Sequence, residues 1–239
     1  MRKIYRLVGA FALGASLAAI PALRADTPKE DAPKAKPATA AQKQKSMNYL
    51  KQIGFAMHNY HDTFNHLPII TDKDGKPLLS WRVALLPQLE EETLYKEFKL
   101  DEAWDSDHNK KLLERLPAVY KPVRGKAGKN ETFYRVFVGN GGMFDKSEKV
   151  TFAHITDGLS NTFMVVEAGE AVPWTKPHDL EYDPKKDVPK LGGMFDGDFH
   201  VLLGDGHVRM FHKGKKAESV RRLIVRNDGE IVTEEDWKP

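Results

Sequence analysis

The chain contains no cysteine among its 239 residues. That excludes a disulfide framework, thiol catalysis, cysteine-ligated metal and lipoprotein attachment, so the fold must be held by packing alone. No G-x-S-x-G nucleophile elbow, no H-E-x-x-H pair and no phosphate-loop G-x-x-x-x-G-K-[ST] occurs either. The excess of basic over acidic residues is also less than it looks. Arg2, Lys3, Arg6 and Arg24 lie in the first 25 residues, which carry no acid; without them 33 basic face 34 acidic side chains, a net charge of −1 instead of +3. The remaining basic groups, such as Lys213, Lys215, Lys216, Arg221 and Arg222, are short and interspersed, which argues against a nucleic-acid partner.

What is present begins with an export pattern. Arg2, Lys3 and Arg6 precede a small apolar run from Leu7 to Leu23, and Ala25 supplies a small residue before a cleavage point. Residues 1–25 are therefore expected to be a signal peptide, and the mature protein to be periplasmic or extracellular. An uncleaved anchor is the rival reading, but the run is short for a bilayer and is interrupted by Gly9, Gly14, Ser16 and Pro21. Residues 26–45 hold three Pro, five Ala and five Lys with no aromatic or branched aliphatic side chain, a composition that predicts a flexible linker. Residues 46–239 are the size of one domain.

Within that domain Leu50, Ile53, Met57, Tyr60 and Phe64 recur at helical spacing, predicting a helix with one apolar stripe. Asp72 to Gly75 reads as a turn, Ser80 as the cap of a short helix running toward Pro87, and Asp105 or Ser106 as the start of another through Leu116. The second half changes period. Phe133 to Val138, Phe163 to Val166 ending at Glu167, Phe199 to Leu203 and Val208 to Phe211 read as strands, with a hairpin turn at Gly204-Asp205-Gly206. A last short helix is expected around Ser219 to Arg226. Helices first and strands later predict an α+β class.

Several long segments in order, MNYLKQIGFAMHNYHDTF, DGKPLLSWRVALLPQLEEETLY, FKLDEAWDSDHNKKLLE, ITDGLSNTFMVVEAGEAVPWTKP and FHVLLGDGHVRMF, resemble a large bacterial domain-of-unknown-function family. That family is abundant in planctomycetes and labelled prepilin-type-processing-associated or solute-binding-like. The resemblance implies a pilin-like module, an N-terminal helix packed on an antiparallel sheet, working outside the cytoplasm; it supplies no catalytic residues. The chain departs from the family in two places. Many relatives begin with a prepilin leader where residues 1–25 here read as an ordinary signal, and where relatives carry a His separated by nine residues from the Asp-Gly of the final hairpin this chain has Phe195.

Six groups of residues invite a chemical reading. His58 and His61 can share a helix face, with Asp62 and His66 nearby, as a metal site would need; His200, Asp198, Asp205 and His207 surround the hairpin. Glu90, Glu91 and Glu92, and separately Glu167 and Glu170, offer carboxylate pairs for acid–base work, Glu167 being the better candidate. Gly139-Asn140-Gly141-Gly142 could present amides to an anion, and Asp72, Asp74 and Gly75 faintly match a calcium loop. Turn chemistry, solvated faces and structural hydrogen bonds account for all six more simply, so no catalytic, cofactor or metal residue is assigned. The reading is a secreted, non-enzymatic module that binds a protein or a cell-surface polysaccharide. Its alternatives are an extracytoplasmic hydrolase or metal enzyme acting through Glu167 or His58 and His61, and, more weakly, small-solute or glycan capture.

Overall fold

A computed structural model describes residues 37–146 and 148–237. The expected signal peptide and residues 26–36 of the expected linker lie outside these. Helix α1, Ala40–Phe64, begins six residues earlier than the linker reading allows. The cause is local: the Thr39 hydroxyl accepts from the Gln42 amide while the Gln42 side chain accepts from the Thr39 amide, a reciprocal cap. Ala40 to Lys45 are good helix formers once that cap is in place. A Lys/Ala-rich composition thus reads as linker only when its cap is overlooked.

The elements after α1 run in order: β1 Ile70–Thr71, β2 Pro77–Leu79, α2 Trp81–Ala84, α3 Glu92–Glu97, α4 Asn109–Leu112, β3 Glu131–Arg135, β4 Phe137–Val138, β5 Phe163–Pro173, β6 Leu180–Glu181, β7 Phe199–Leu203, β8 Val208–Phe211, α5 Ala217–Ile224 and α6 Glu234–Trp237. Strands β3, β5, β7 and β8 form an antiparallel sheet in the order β3-β5-β7-β8. The β4–β6 pair is parallel and separate, and β1–β2 is a hairpin. The class is α+β. Among the described residues no helix is long and apolar enough to cross a membrane.

Both faces of the sheet are covered. Leu202 and Val165 belong to the core shared with the α1 stripe, whereas Val201, Leu203 and Phe211 pack with Val220, Leu223 and Ile224 of α5. A strand buried on both sides has no reason to alternate polar and apolar residues, which is why Phe163 to Val166 and Phe199 to Leu203 read as near-continuous apolar runs. On α1, Leu50, Ile53 and Met57 are fully buried and Tyr60 nearly so, each side chain contributing about 1.5–3 kcal/mol by leaving water. Phe64 does not join them. It is 50 % exposed, because the helix ends at Asn65 in the left-handed region and the chain turns away beneath it.

Three further expectations need correction. The run Phe133 to Val138 is two strands serving different sheets, and β5 continues past Glu167 to Pro173 because β3 pairs with it as far as Glu131↔Pro173. The helix expected from Asp105 or Ser106 to Leu116 is only the single turn α4; Ser106 still accepts from the Asn109 amide. Asn109 then holds the carbonyls of Lys99, Glu102 and Ala103 through its side-chain amide, and so fixes a compact loop where a longer helix was expected. By contrast Ser80 caps α2, and the Gly204-Asp205-Gly206 hairpin forms with Gly206 at φ +88°.

Candidate functional site

The carboxylate singled out in the sequence, Glu167, lies on β5 facing α1 and is fully buried. Ser46 of α1 donates to Oε1, and the His200 backbone N–H donates to Oε2 at 2.7 Å. His200 Nδ1 is 3.0 Å from Oε1, and Tyr134 Oη is 2.7 Å from Ser46 Oγ. Since the single Ser46 proton goes to Glu167, the Tyr134 hydroxyl must donate to Ser46. Burial, and secondarily Glu167, pushes the Tyr134 hydroxyl pKa far up, which keeps it a neutral donor. The four groups come from α1, β3, β5 and β7, so they tie the helix to three strands.

This quartet contains the residue types of a hydrolase but the wrong connectivity. In a nucleophilic set the histidine stands between the hydroxyl and the acid, whereas here the acid stands between the serine and the histidine. Ser46, Glu167 and His200 are all 0 % exposed, so no substrate reaches them. Phe195, the position of the family's missing His, is 3 % exposed and meets the His200 ring edge-on at 5.0 Å. It fills space against the His200 ring.

The helix histidines separate in role. His61 stacks on Phe152 at 3.9 Å and its Nε2 accepts the Phe152 amide at 3.1 Å, so that nitrogen is engaged by backbone. Burial holds the His61 imidazolium pKa below its usual 6.5, Asp62 opposing and His58 and His66 adding to the effect. His66 instead meets the Leu67 carbonyl at 2.8 Å. His58 takes a different direction: it shares a groove of about 330 Å³ with Asp205, Gly206 and His207, which unites the helix cluster and the hairpin cluster. Its Nε2 is buried without a hydrogen-bond partner among the described residues. Among those residues no three His, Asp or Glu side chains are grouped as a metal would need.

The remaining motifs are structural. Asp72 Oδ1 accepts from the Asp74 and Lys76 amides at 2.9 and 2.8 Å, making the β1–β2 turn. The Gly139 to Gly142 loop is docked on the chain after α5, where Gly141 O accepts the Arg226 amide at 2.8 Å and Gly142 O takes the Arg226 guanidinium. Asp198 accepts from the Lys213 amide and Asp205 from the His207 amide, each at 3.0 Å. Of the acidic run, Glu92 pairs with Lys96 and Glu90 sits at φ +63°, on the surface.

A residue not singled out in the sequence occupies the accessible part of this face. Phe55 is 69 % exposed and stands between the His58–His207 groove and a second groove of about 500 Å³ lined by Gln52, Gln88 and Glu90; Lys51 borders both. The signal was available: Phe55 falls off the Leu50–Tyr60 stripe, so an aromatic ring was being placed on the polar side of the helix.

The family model for a protein of unknown function (DUF1559), which also carries a solute-binding label, matches residues 39–134 and 115–185. The chain belongs to this family. The matched residues of the DUF1559 domain start at the α1 cap and run through β5 to β6, so they include Ser46, Tyr134, Glu167 and Phe55. No curated protein and no solved structure matches the chain.

Proposed function

We propose that this DUF1559 protein is an exported, non-enzymatic interaction module of pilin-like build that binds a cell-surface polysaccharide through the face around Phe55. The observation that carries the reading is the placement of Phe55, a ring 69 % exposed with a polar groove on each side. An exposed ring offers a flat apolar platform to the C–H face of a sugar, and Gln52, Gln88, His58 and Asp205 supply donors and acceptors for hydroxyls at its margins. A hydrolase reading has less support, since Glu167 and His200 are sealed in the core. The pilin-like element of the proposal rests on α1 lying across the antiparallel sheet, and the export element on the sequence of residues 1–25.

Retention of the purified protein on cellulose, chitin and peptidoglycan tests the reading. At least one should retain it, and Phe55→Ala should weaken retention about tenfold or more with an unchanged melting curve. Equal retention of Phe55→Ala, or release of soluble sugar by the wild-type protein, would sink the proposal.

A further inference from the structure

On another part of the surface, four chain segments converge on a recess of about 370 Å³. Arg135, the last residue of β3, lines it; the β6 segment brings His178 and Glu181 because the Leu180 amide donates to Val136 O at 2.9 Å. Lys190 arrives with the loop that docks on β5, where the Gly169 amide donates to Lys190 O at 2.7 Å, and Glu170 of β5 closes the rim.

Arg135 is the unusual member. It is only 7 % exposed, yet its side chain makes no hydrogen bond and no ion pair within 4 Å with another described residue, and its Nε is buried with no partner among them. Asp179 and Glu170 act on it from further away, while burial works against its charge and lowers its pKa. An arginine stays protonated in proteins, so a buried Nε donor is left unused, a costly arrangement unless something accepts from it. The nearby carboxylates are largely committed elsewhere. Asp179 Oδ1 takes Trp81 Nε1 at 3.2 Å, Arg82 Nη2 at 3.4 Å and the Val136 amide at 3.4 Å, and Glu181 is ion-paired with Lys146. The recess is lined by two cations, Arg135 and Lys190, and three carboxylates, Glu170, Asp179 and Glu181; Asp179 and Glu181 have partners outside it in Arg82 and Lys146, which leaves Glu170 as the one lining carboxylate without an ion pair among the described residues.

We infer that this recess binds a small solute bearing one carboxylate, which Arg135 grips through its free guanidinium donors while Lys190 supplies the second positive charge. Arginine's planar fork matches a carboxylate in two-point geometry. Glu170, the lining carboxylate left without an ion pair, disfavours a doubly charged phosphate. His178, whose pKa is lowered by burial first and by Arg135 second, is neutral near pH 7 and adds a polar wall without charge. This inference does not depend on the polysaccharide reading, since Phe55 lies outside the recess.

The test is calorimetric titration of the full protein with glucuronate, L-lactate and acetate, with glucose as the neutral control and inorganic phosphate as the competing oxyanion. One or more carboxylates should bind and glucose should not. Arg135→Met should weaken that binding at least tenfold, with Arg135→Lys in between, and the exposed Lys190→Glu should weaken it severalfold while leaving the melting curve in place. Phe55→Ala should bind the carboxylate normally, which separates failure here from failure at the polysaccharide face. No carboxylate binding, binding unchanged in both Arg135→Met and Lys190→Glu, or binding of phosphate alone would overturn the assignment.

Discussion

Glu167 and His200 face each other across β5 and β7 with both carboxylate oxygens used: Oε2 takes the His200 backbone amide at 2.7 Å and Oε1 lies 3.0 Å from His200 Nδ1. Ser46 adds a helix to the same acid. One side chain therefore fixes the separation of two strands and the height of α1 above them. Its removal should act on stability, not on a reaction.

Ser46→Ala should cost about 1–3 kcal/mol in urea denaturation, because it strips a donor from a buried carboxylate and strands the Tyr134 hydroxyl. Glu167→Gln should cost a similar or larger amount, and the double variant less than the sum, since the two residues share one network. Additive losses would show that the helix and sheet are held independently of Glu167.

Phe195→His tests whether the residue missing from the family pattern matters chemically. The ring is buried edge-on against His200, whose Nε2 has no partner among the described residues. A second imidazole there loses packing and adds a polar atom, so a loss of about 1–3 kcal/mol is expected with no gain of zinc in elemental analysis. Stoichiometric zinc at unchanged stability would mean that this position carries function in the family and that the chain has lost it.

The apolar content of the fold was legible where burial is two-sided or periodic. The α1 stripe, the runs of β5 and β7 and the Gly204–Gly206 hairpin announce themselves because each depends on its own local residues. What stayed hidden depends on long-range pairing. Nothing within Phe133 to Val138 says that Val136 will meet Asp179 and split the run into β3 and β4, or that Ser46, Tyr134, Glu167 and His200 will converge. Phe55 and Arg135 left a trace, an aromatic on a polar helix face and a cation inside an apolar strand. Their importance lies in which grooves they border, which only the fold determines.

Stability should fall on acidification through the histidine range, with His61 as one contributor. Its folded pKa is lowered, mainly by burial, so the unfolded chain binds the proton more readily and the folded state loses ground as pH drops below 6.5. Protonating Nε2 also removes the acceptor of the Phe152 amide. His178 shifts in the same direction and adds to the slope. His61→Gln, which cannot titrate, should flatten the dependence of melting temperature on pH between 7.5 and 5; an identical slope would assign the effect to other groups.

The start of α1 offers the sharpest check on where the folded unit begins. Ser46, the Glu167 ligand, is in the second turn of α1, so its position depends on the first turn and on the Thr39–Gln42 cap that closes it. Limited proteolysis should therefore leave a core beginning close to Pro37, not at Ser46. Thr39→Ala should cost about 1 kcal/mol, or roughly 2–4 °C in melting temperature for a domain of this size. A chain shortened to begin at Ser46 should lose more than that, because the serine would then sit in a fraying turn and Glu167 would be left short of a donor in the core. A shortened chain as stable as one beginning at Pro37 would restore residues 40–45 to the linker and place the structural boundary at Ser46.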